Sequence, residues 1–321
     1  MAIHDSLARI EREAGIPGLA TLLATRLTPT DLQSLLLEVY RLTAKQRSPA
    51  MILESYAQSR FTRPSFVPVS SLAAWAQLSI SLLPRDFTPL ELSPVCPLAT
   101  CSGVAAVDQN WSVPTVRNTE VVSDPTNVLA LECALRRKKL LKEDAKSTTP
   151  VNLAASHRVV RPQFFEGPNL FAHFQLLSMV TGGRDEGDRR FEITALSRHA
   201  DYYVRLLRAF AGSDLRIRLA FSDFGAEDRT PALQEQLLAS LHDSLNVECM
   251  VDPDRQSGRG YYRDLCMKVY ARTAEDQEME IGDGGSVDWT QRLLSNSKER
   301  LVISGLGAER ICSLWGSHRM T

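Results

Sequence analysis

The chain has 321 residues, 44% hydrophobic and 23% charged, which is enough apolar material for one large or two moderate globular domains. Its 37 basic and 38 acidic residues leave a formal net charge of -1, so no overall field attracts a nucleic acid. No apolar run reaches the roughly 18 residues of a transmembrane helix, and the charged start MAIHDSLARIEREAG is unlike a signal peptide. We therefore expect a cytosolic protein.

The six cysteines are scattered and form no C-x-x-C pair. We interpret them as small buried hydrophobic residues of a cytosolic protein. A zinc site at Cys96 and Cys101 is the alternative, because thiolates are common zinc ligands.

The pattern of residues 1–69 predicts a helical extension. Apolar residues recur every three or four positions in DSLARIEREAG and in TPTDLQSLLLEVYRLTAK, where Thr30 or Asp31 can cap the helix. From Ser70 the pattern changes, since SSLAAWAQLSISLL predicts an apolar helix and FTPLELSPV predicts a strand that ends at Pro94. We therefore expect a second unit at residues 70–321.

The middle of the chain alternates helices and strands irregularly. SDPTNVLALECALRRKK predicts a helix that opens at Asp124, and RRKKLLKEDAKSTTP predicts its end and an exposed loop. VNLAASHRVVRP and HFQLLSMVTGG predict a hairpin with the long tip FFEGPNLFA. The next predicted elements are the helix FEITALSRHADYYVRLLRAFAG, the strand DLRIRLAFSDF and the helix TPALQEQLLASLHDSLN.

Toward the end, YYRDLCMKVYAR, the EMEIGDGGS region and LVISG predict strands, and DWTQRLLSNS and AERICSLW predict short helices. Strands dominate the middle, helices flank them, and a regular βαβ order is missing. The sequence therefore favours an α+β fold with a mainly antiparallel sheet flanked by helices. A P-loop, a G-x-S-x-G and an H-E-x-x-H motif are all absent from the sequence.

Three segments in this order resemble the motifs of the class II aminoacyl-tRNA synthetase catalytic core, and most closely the histidyl-tRNA synthetase group and its paralogues. They are a helix and strand ending at Pro94, a hairpin with Arg158 on its first strand, and a glycine-rich strand leading into a helix with Arg310. In the family the first segment builds the dimer interface. The resemblance therefore implies a homodimer through residues 70–95.

The second segment, HRVVRPQFFEGPNLFAHFQLL, implies a role for Arg158 at the α-phosphate of ATP and the carboxylate of the amino acid, since a guanidinium can bridge two oxyanions. Val160 stands where the family has an acid, and the loop supplies only Glu166 for ATP. Gln175 matches a glutamine near the substrate. From the residues alone, we expect Arg158 or Arg161 to face a polar site.

The third segment, LVISGLGAERICSLW, is the best local match. The resemblance implies that Gly305 and Gly307 let the nucleotide approach the backbone, and that Arg310 lies over the γ-phosphate, with Glu309 before it as in many histidyl enzymes.

Three further segments resemble substrate-binding motifs. Asp124 and Thr126 match an acid-x-Thr stretch that receives the substrate ammonium group; a helix N-cap is the alternative. RGYYRDLCMKVYA, which is two residues shorter than the family pattern, supplies Arg259 as the cation used in adenylation, with Arg255 as the alternative.

In the same stretch, Tyr261 and Tyr262 are implied to line the substrate pocket. GDGGSVDW resembles the Gly-Gly-Arg-Tyr-Asp loop, which implies that Gly284 and Gly285 border the substrate; Ser286-Val287 replaces Arg-Tyr, so histidine selection is not supported.

The resemblance implies ATP-dependent activation of an amino acid or related carboxylate as an acyl-adenylate, with Mg²⁺ carried by ATP and with a protein or a tRNA as acceptor. Because the chain ends at Thr321, where histidyl enzymes continue into an anticodon-binding domain, we expect a paralogue. The alternative is an amino-acid-binding regulatory subunit like that of ATP phosphoribosyltransferase. A third interpretation is an unrelated α+β protein with surface arginines.

Overall fold

The computed structural model describes residues 3–163, 171–225 and 247–316. The beginning of the chain is helical, with α1 Ile3–Ala14, α2 Leu19–Arg26, α3 Pro29–Lys45 and α4 Pro49–Gln58. The cap of α3 is Thr28 rather than Thr30 or Asp31, because Pro29 favours the first helical position and the Thr28 side chain accepts from the Asp31 N–H. No residue of α2, α3 or α4 is buried.

An eight-stranded sheet forms the centre of the molecule, in the order β1-β5-β6-β11-β10-β9-β7-β8. The strands are β1 Thr88–Pro89, β5 Val151–Val160, β6 His173–Arg184, β7 Ile217–Asp223, β8 Glu248–Val251, β9 Leu265–Arg272, β10 Glu278–Val287 and β11 Glu299–Gly307. Among these strands only the edge pairs β1–β5 and β7–β8 are parallel. The predicted α+β fold with a mainly antiparallel sheet is confirmed.

Helices cover both faces of this sheet. They are α5 Val69–Ser81, α6 Thr100–Ala105, α7 Pro125–Glu143, α8 Arg190–Ala211, α9 Trp289–Leu294 and α10 Ala308–Trp315. One core joins α5, α8 and α10 to the sheet, where Trp75 meets Phe210 edge-on at 5.2 Å. A second core joins α7 and α9 to the opposite face. No helix of the described ranges has the length and apolarity needed to cross a bilayer.

Local signals predicted most of the described elements correctly. The long strand predicted for FTPLELSPV is the exception. Only β1 forms there, and the chain then enters a small sheet of β2 Val95–Pro97, β3 Val113–Pro114 and β4 Thr119–Val121. The prolines of this stretch remove ladder donors and limit strand length. The helix predicted at residues 230–246 lies outside the described residues.

The buried carboxylate of Glu120 holds the segment after β2 in place. It accepts hydrogen bonds from the backbone N–H groups of Ala99 and Cys101, at 3.1 and 2.8 Å, and from the Gln109 side chain at 2.6 Å. These bonds satisfy the carboxylate and fix the loop that carries Trp111.

Arg137 is fully buried, although its charged sequence context predicts a helix end beside an exposed loop. Its guanidinium forms a two-point ion pair with the equally buried Glu299, at 2.8 and 2.9 Å. It also donates to the carbonyl groups of Ser147 and Thr149. Arg137 therefore connects α7, the following loop and β11.

We expect Arg137→Met to lower the free energy of unfolding by about 3–5 kcal/mol, because the Glu299 carboxylate is left buried without its cation. Urea denaturation measures this change. Arg136→Met is the matched control, since Arg136 pairs with Glu132 at the surface and should cost no more than about 1 kcal/mol. Equal losses in the two variants would contradict the prediction, and adding Glu299→Leu to Arg137→Met should restore most of the loss.

A row of polar side chains in mutual contact crosses the core beside β11. His199 is fully buried, and its ring nitrogens contact Thr181 Oγ1 at 3.0 Å and Ser304 Oγ at 2.8 Å. Tyr203 contacts the same Ser304 oxygen at 2.7 Å. Burial lowers the pKa of His199 from 6.5 to about 3, so the ring is neutral at physiological pH.

This depressed pKa makes stability depend on pH. Below pH 6.5 the unfolded chain protonates His199 while the folded chain does not, so stability falls as the pH falls. Between about pH 7 and about pH 5, the residue should account for a loss of roughly 2 kcal/mol. Urea unfolding at pH 7 and at pH 5 measures the loss of stability between the two pH values. That loss should be smaller in His199→Gln than in wild type by roughly 2 kcal/mol. Equal losses in the two proteins would argue against the prediction.

Candidate functional site

A cavity of about 540 Å³ opens where β10 and β11 meet the start of α7 and the β5–β6 hairpin. Its charged lining residues in the described part of the chain are Asp124, Arg161, Glu280, Asp283, Glu309 and Arg310. Its aromatic lining residues are Trp111, Phe171, Phe174, Tyr261 and Tyr262. The cavity thus combines apolar walls with charges of both signs, a composition typical of small-molecule sites.

Asp124 is the N-cap of α7 and also lines the cavity. As the N-cap of α7, its Oδ1 accepts from the Thr126 N–H at 2.9 Å and from the Thr126 hydroxyl at 2.8 Å. Its Oδ2 lies 3.4 Å from Arg161, whose guanidinium also donates to the Ser123 carbonyl and lies over the Phe174 ring. The cap fixes the carboxylate beside an arginine at the cavity wall.

Glu309 joins the hairpin to α10. Its side chain has 0% exposure and pairs with Arg158, 43% exposed, at 2.8 Å. It also accepts from the Gln175 backbone N–H at 2.6 Å. Arg158 donates in addition to His173 Nδ1 at 3.0 Å. Arg158 therefore lies directly behind a cavity-lining carboxylate, while Gln175 contacts that carboxylate through its backbone and donates its side-chain amide to Ser156 at 2.9 Å.

Arg310 lines the cavity itself, together with Gly305 and Gly307. Its Nη1 donates to the Glu280 carbonyl at 2.5 Å, a neutral partner. A Cβ atom added at Gly307 would meet nothing within 4 Å, so the backbone there faces open space. The strand end and the helix start thus leave room for a ligand beside a guanidinium.

Tyr261 and Tyr262 form an aromatic wall. Tyr261 packs edge-on against Tyr262 at 5.0 Å and against Trp289 at 5.6 Å. Burial raises the pKa of both phenols well above the usual value, so each remains a neutral hydrogen-bond donor. Tyr262 donates to Asp283, which the protein surrounds closely enough to raise its pKa.

Some residues assigned by the resemblance lie outside this lining. Arg259 is exposed and lies over the Phe224 ring at 4.6 Å, while Arg255 is the buried cation near Asp283. Gly284 and Gly285 pack against neighbouring strands, where added Cβ atoms would come within 2.5 Å of Ser304 Cβ and 2.7 Å of Cys266 Cβ. Glu166 lies outside the described residues.

Sequence reasoning missed two lining acids, Glu280 and Asp283. Both are on β10. The sequence predicts a strand there, and the resemblance to the family assigned a role only to its glycines. A carboxylate between glycines in a central strand was the available signal, because a charged residue is rarely placed there without a function.

A metal site receives no support from these contacts. Within the described residues, no group of three or more His, Cys, Asp or Glu side chains is placed to hold a metal ion. Cys96 and Cys101 are free thiols whose pKa values are raised by burial, to about 11 for Cys96.

No protein-family model matches the sequence, and no curated protein does either. Solved structures do match. The apo S. aureus histidyl-tRNA synthetase aligns over 80% of this chain and 70% of its own, with 12% identity and a TM-score of 0.60. An ATP phosphoribosyltransferase regulatory subunit/histidyl-tRNA synthetase from Bacillus halodurans C aligns over 80% and 83%, with 13% identity and a TM-score of 0.59.

A third match is a structure of the RNA binding domain of threonyl-tRNA synthetase from Cryptosporidium parvum Iowa II, with 12% identity and a TM-score of 0.56. It aligns over 78% of this chain, which spans 64% of its length. At such identities the likeness concerns the fold. The chain has a class II aminoacyl-tRNA synthetase-like fold.

Proposed function

We propose that the cavity binds an amino acid or a related carboxylate with a free ammonium group, and that binding regulates a partner protein. The observation that carries the proposal is the pairing of Asp124 with Arg161 at one wall of the cavity. Their 3.4 Å separation is longer than a strong charge-assisted hydrogen bond, and both side chains are partly exposed. A zwitterion carries adjacent charges of opposite sign, so it can place its ammonium group on Asp124 and its carboxylate on Arg161.

A regulatory role is favoured because Arg158, the expected α-phosphate contact, is already neutralised by Glu309. Val160 supplies no carboxylate at the position where the family has an acid. The described lining contains four carboxylates and two guanidiniums. Because negative charges outnumber positive ones, the lining attracts a polyanion only weakly.

Activation of the amino acid by ATP is the second candidate. Arg310 supports it, because no carboxylate of the described residues pairs with this cavity-lining guanidinium. ATP with Mg²⁺ would supply the adenylyl group, with pyrophosphate as the leaving group, and Arg158 and Arg310 would hold the α- and γ-phosphates of ATP. The acceptor in this case is a protein or a tRNA.

The wider arrangement belongs to the same proposal. We infer a homodimer through residues 70–95, supported by the exposed apolar side chain of Ile80 on α5. We also retain a helical extension at residues 1–69 beside the core at residues 70–321, and a cytosolic location.

Asp124→Asn tests the zwitterion site without removing the helix cap, because asparagine caps as well as aspartate. We expect wild-type protein to bind at least one amino acid by calorimetry, and the Asp124→Asn variant to bind it about tenfold or more weakly, through loss of the carboxylate's charge. Asp144→Asn is the matched control, since Asp144 forms a similar local turn bond to the Lys146 N–H. Equal affinities for wild type and Asp124→Asn would contradict the proposal.

Pyrophosphate exchange with each amino acid in turn tests the second candidate. If activation occurs, exchange should be measurable, ATP should protect against thermal unfolding, and Arg310→Ala should weaken both by about tenfold or more. Arg205→Ala is the control, because Arg205 pairs with Asp201 on the exposed side of α8. No exchange with any amino acid, together with no protection by ATP, would reject activation and leave the regulatory role.

A further inference from the structure

Asp283 occupies a rigid position in the cavity floor. It lies on β10 opposite Gly305 of β11 and Lys268 of β9. A Cβ atom at the preceding residue, Gly282, would lie 2.4 Å from the Gly305 carbonyl oxygen, so the two strands approach as closely as their backbones allow. The backbone that carries the Asp283 side chain is therefore held at a fixed point of the cavity.

Of the lining carboxylates, Asp283 has the loosest ion pair. Glu280 lies 2.7 Å from Lys268, Glu309 lies 2.8 Å from Arg158, and Asp124 lies 3.4 Å from Arg161. The shortest distance from Asp283 to a cation of the described residues is 3.8 Å, to Arg255 Nη2. This separation is too long for a direct hydrogen bond.

Asp283 is packed against Arg255 on one side and is open to the cavity on the other. Arg255 is 3% exposed, lies between the rings of Phe224 and Tyr262, and donates Nε–H to the Ser257 carbonyl. Asp283 itself is 47% exposed and receives a hydrogen bond from Tyr262. A carboxylate has about four acceptor sites, so most of its capacity faces the cavity.

Two neighbouring features favour a ligand group that donates hydrogen bonds. Desolvation raises the pKa of Asp283, which means that the folded protein leaves the ionised form undersolvated. Asn127, 2% exposed, lines the same cavity, and no described residue donates to its Oδ1. The rings of Tyr261 and Tyr262, which line the same cavity, suit the aliphatic stem of a long side chain.

We propose that Asp283 is the specificity-determining residue of the cavity, and that it selects amino acids whose side chains end in an N–H donor group. The inference rests on the proposed binding of an amino acid, whose α-groups engage Asp124 and Arg161 while the side chain reaches Asp283. A bound side chain that fills this part of the cavity excludes water from the carboxylate, so an apolar isostere is rejected because it leaves the acceptor without a partner.

Calorimetry with two matched ligand pairs tests the selection. L-lysine has a terminal amine that L-norleucine lacks, and L-glutamine has a terminal amide where L-methionine has a thioether sulfur and a methyl group. In wild-type protein at least one donor-bearing ligand should bind about tenfold to a hundredfold more tightly than its apolar partner. Asp283→Leu should reduce that ratio to about one.

Asp283→Asn separates charged from neutral donors. Its amide oxygen still accepts, so a preference for glutamine should persist, whereas a preference for lysine should fall with the lost charge. Glu278→Gln is the control on the same strand, since Glu278 pairs with Arg218 outside the cavity lining, and it should leave both ratios unchanged.

Ratios are compared within each variant, so a partial loss of folded protein does not affect them. Wild-type ratios near one for both pairs, or ratios that Asp283→Leu leaves unchanged, would overturn the role of Asp283 while amino-acid binding stands. Wild-type protein that binds none of the common amino acids would instead reject the proposed function itself.

Discussion

Glu309 is a fully buried carboxylate at the first turn of the last helix, and its partners come from a distant hairpin. A carboxylate can be buried only when it is paired and hydrogen-bonded, because otherwise its desolvation costs several kcal/mol. Arg158 supplies the charge, and the Gln175 N–H supplies the hydrogen bond. This requirement holds the hairpin against the start of α10, and with it places Arg310 and the open backbone at Gly307 at the cavity.

Each carboxylate of the described cavity lining has a cation nearby, but the distance between the two charged groups varies. Glu280 and Glu309 have close cations, whereas Asp124 and Asp283 have more distant ones. The loosely paired carboxylates are the ones that a small ligand can still satisfy. A site with separated charges of both signs fits a zwitterion better than a polyphosphate, and this is the physical basis for preferring amino-acid binding to nucleotide chemistry.

The elements that were predicted correctly are those whose signals are local. The long β5–β6 hairpin, the Asp124 cap of α7 and the strand-to-helix turn before Arg310 all follow from periodicity, turn residues and capping within a few positions. The burial of Arg137, in contrast, depends on a distant partner. Arg137 reads as a surface residue in its basic run, yet it is buried because Glu299, 162 positions away, pairs with it.

The sequence by itself determined the α+β class, the antiparallel centre and the order of the three segments that resemble a synthetase core, since these depend on local hydrophobic patterns and on chain order. Only the tertiary structure decided how the charges are shared. It put Arg158 on Glu309, Arg161 on Asp124 and Arg255 behind Asp283, and it left Arg259 at the surface. Local periodicity contains no information about which distant carboxylate will neutralise a given arginine, because that choice depends on the packing of the sheet.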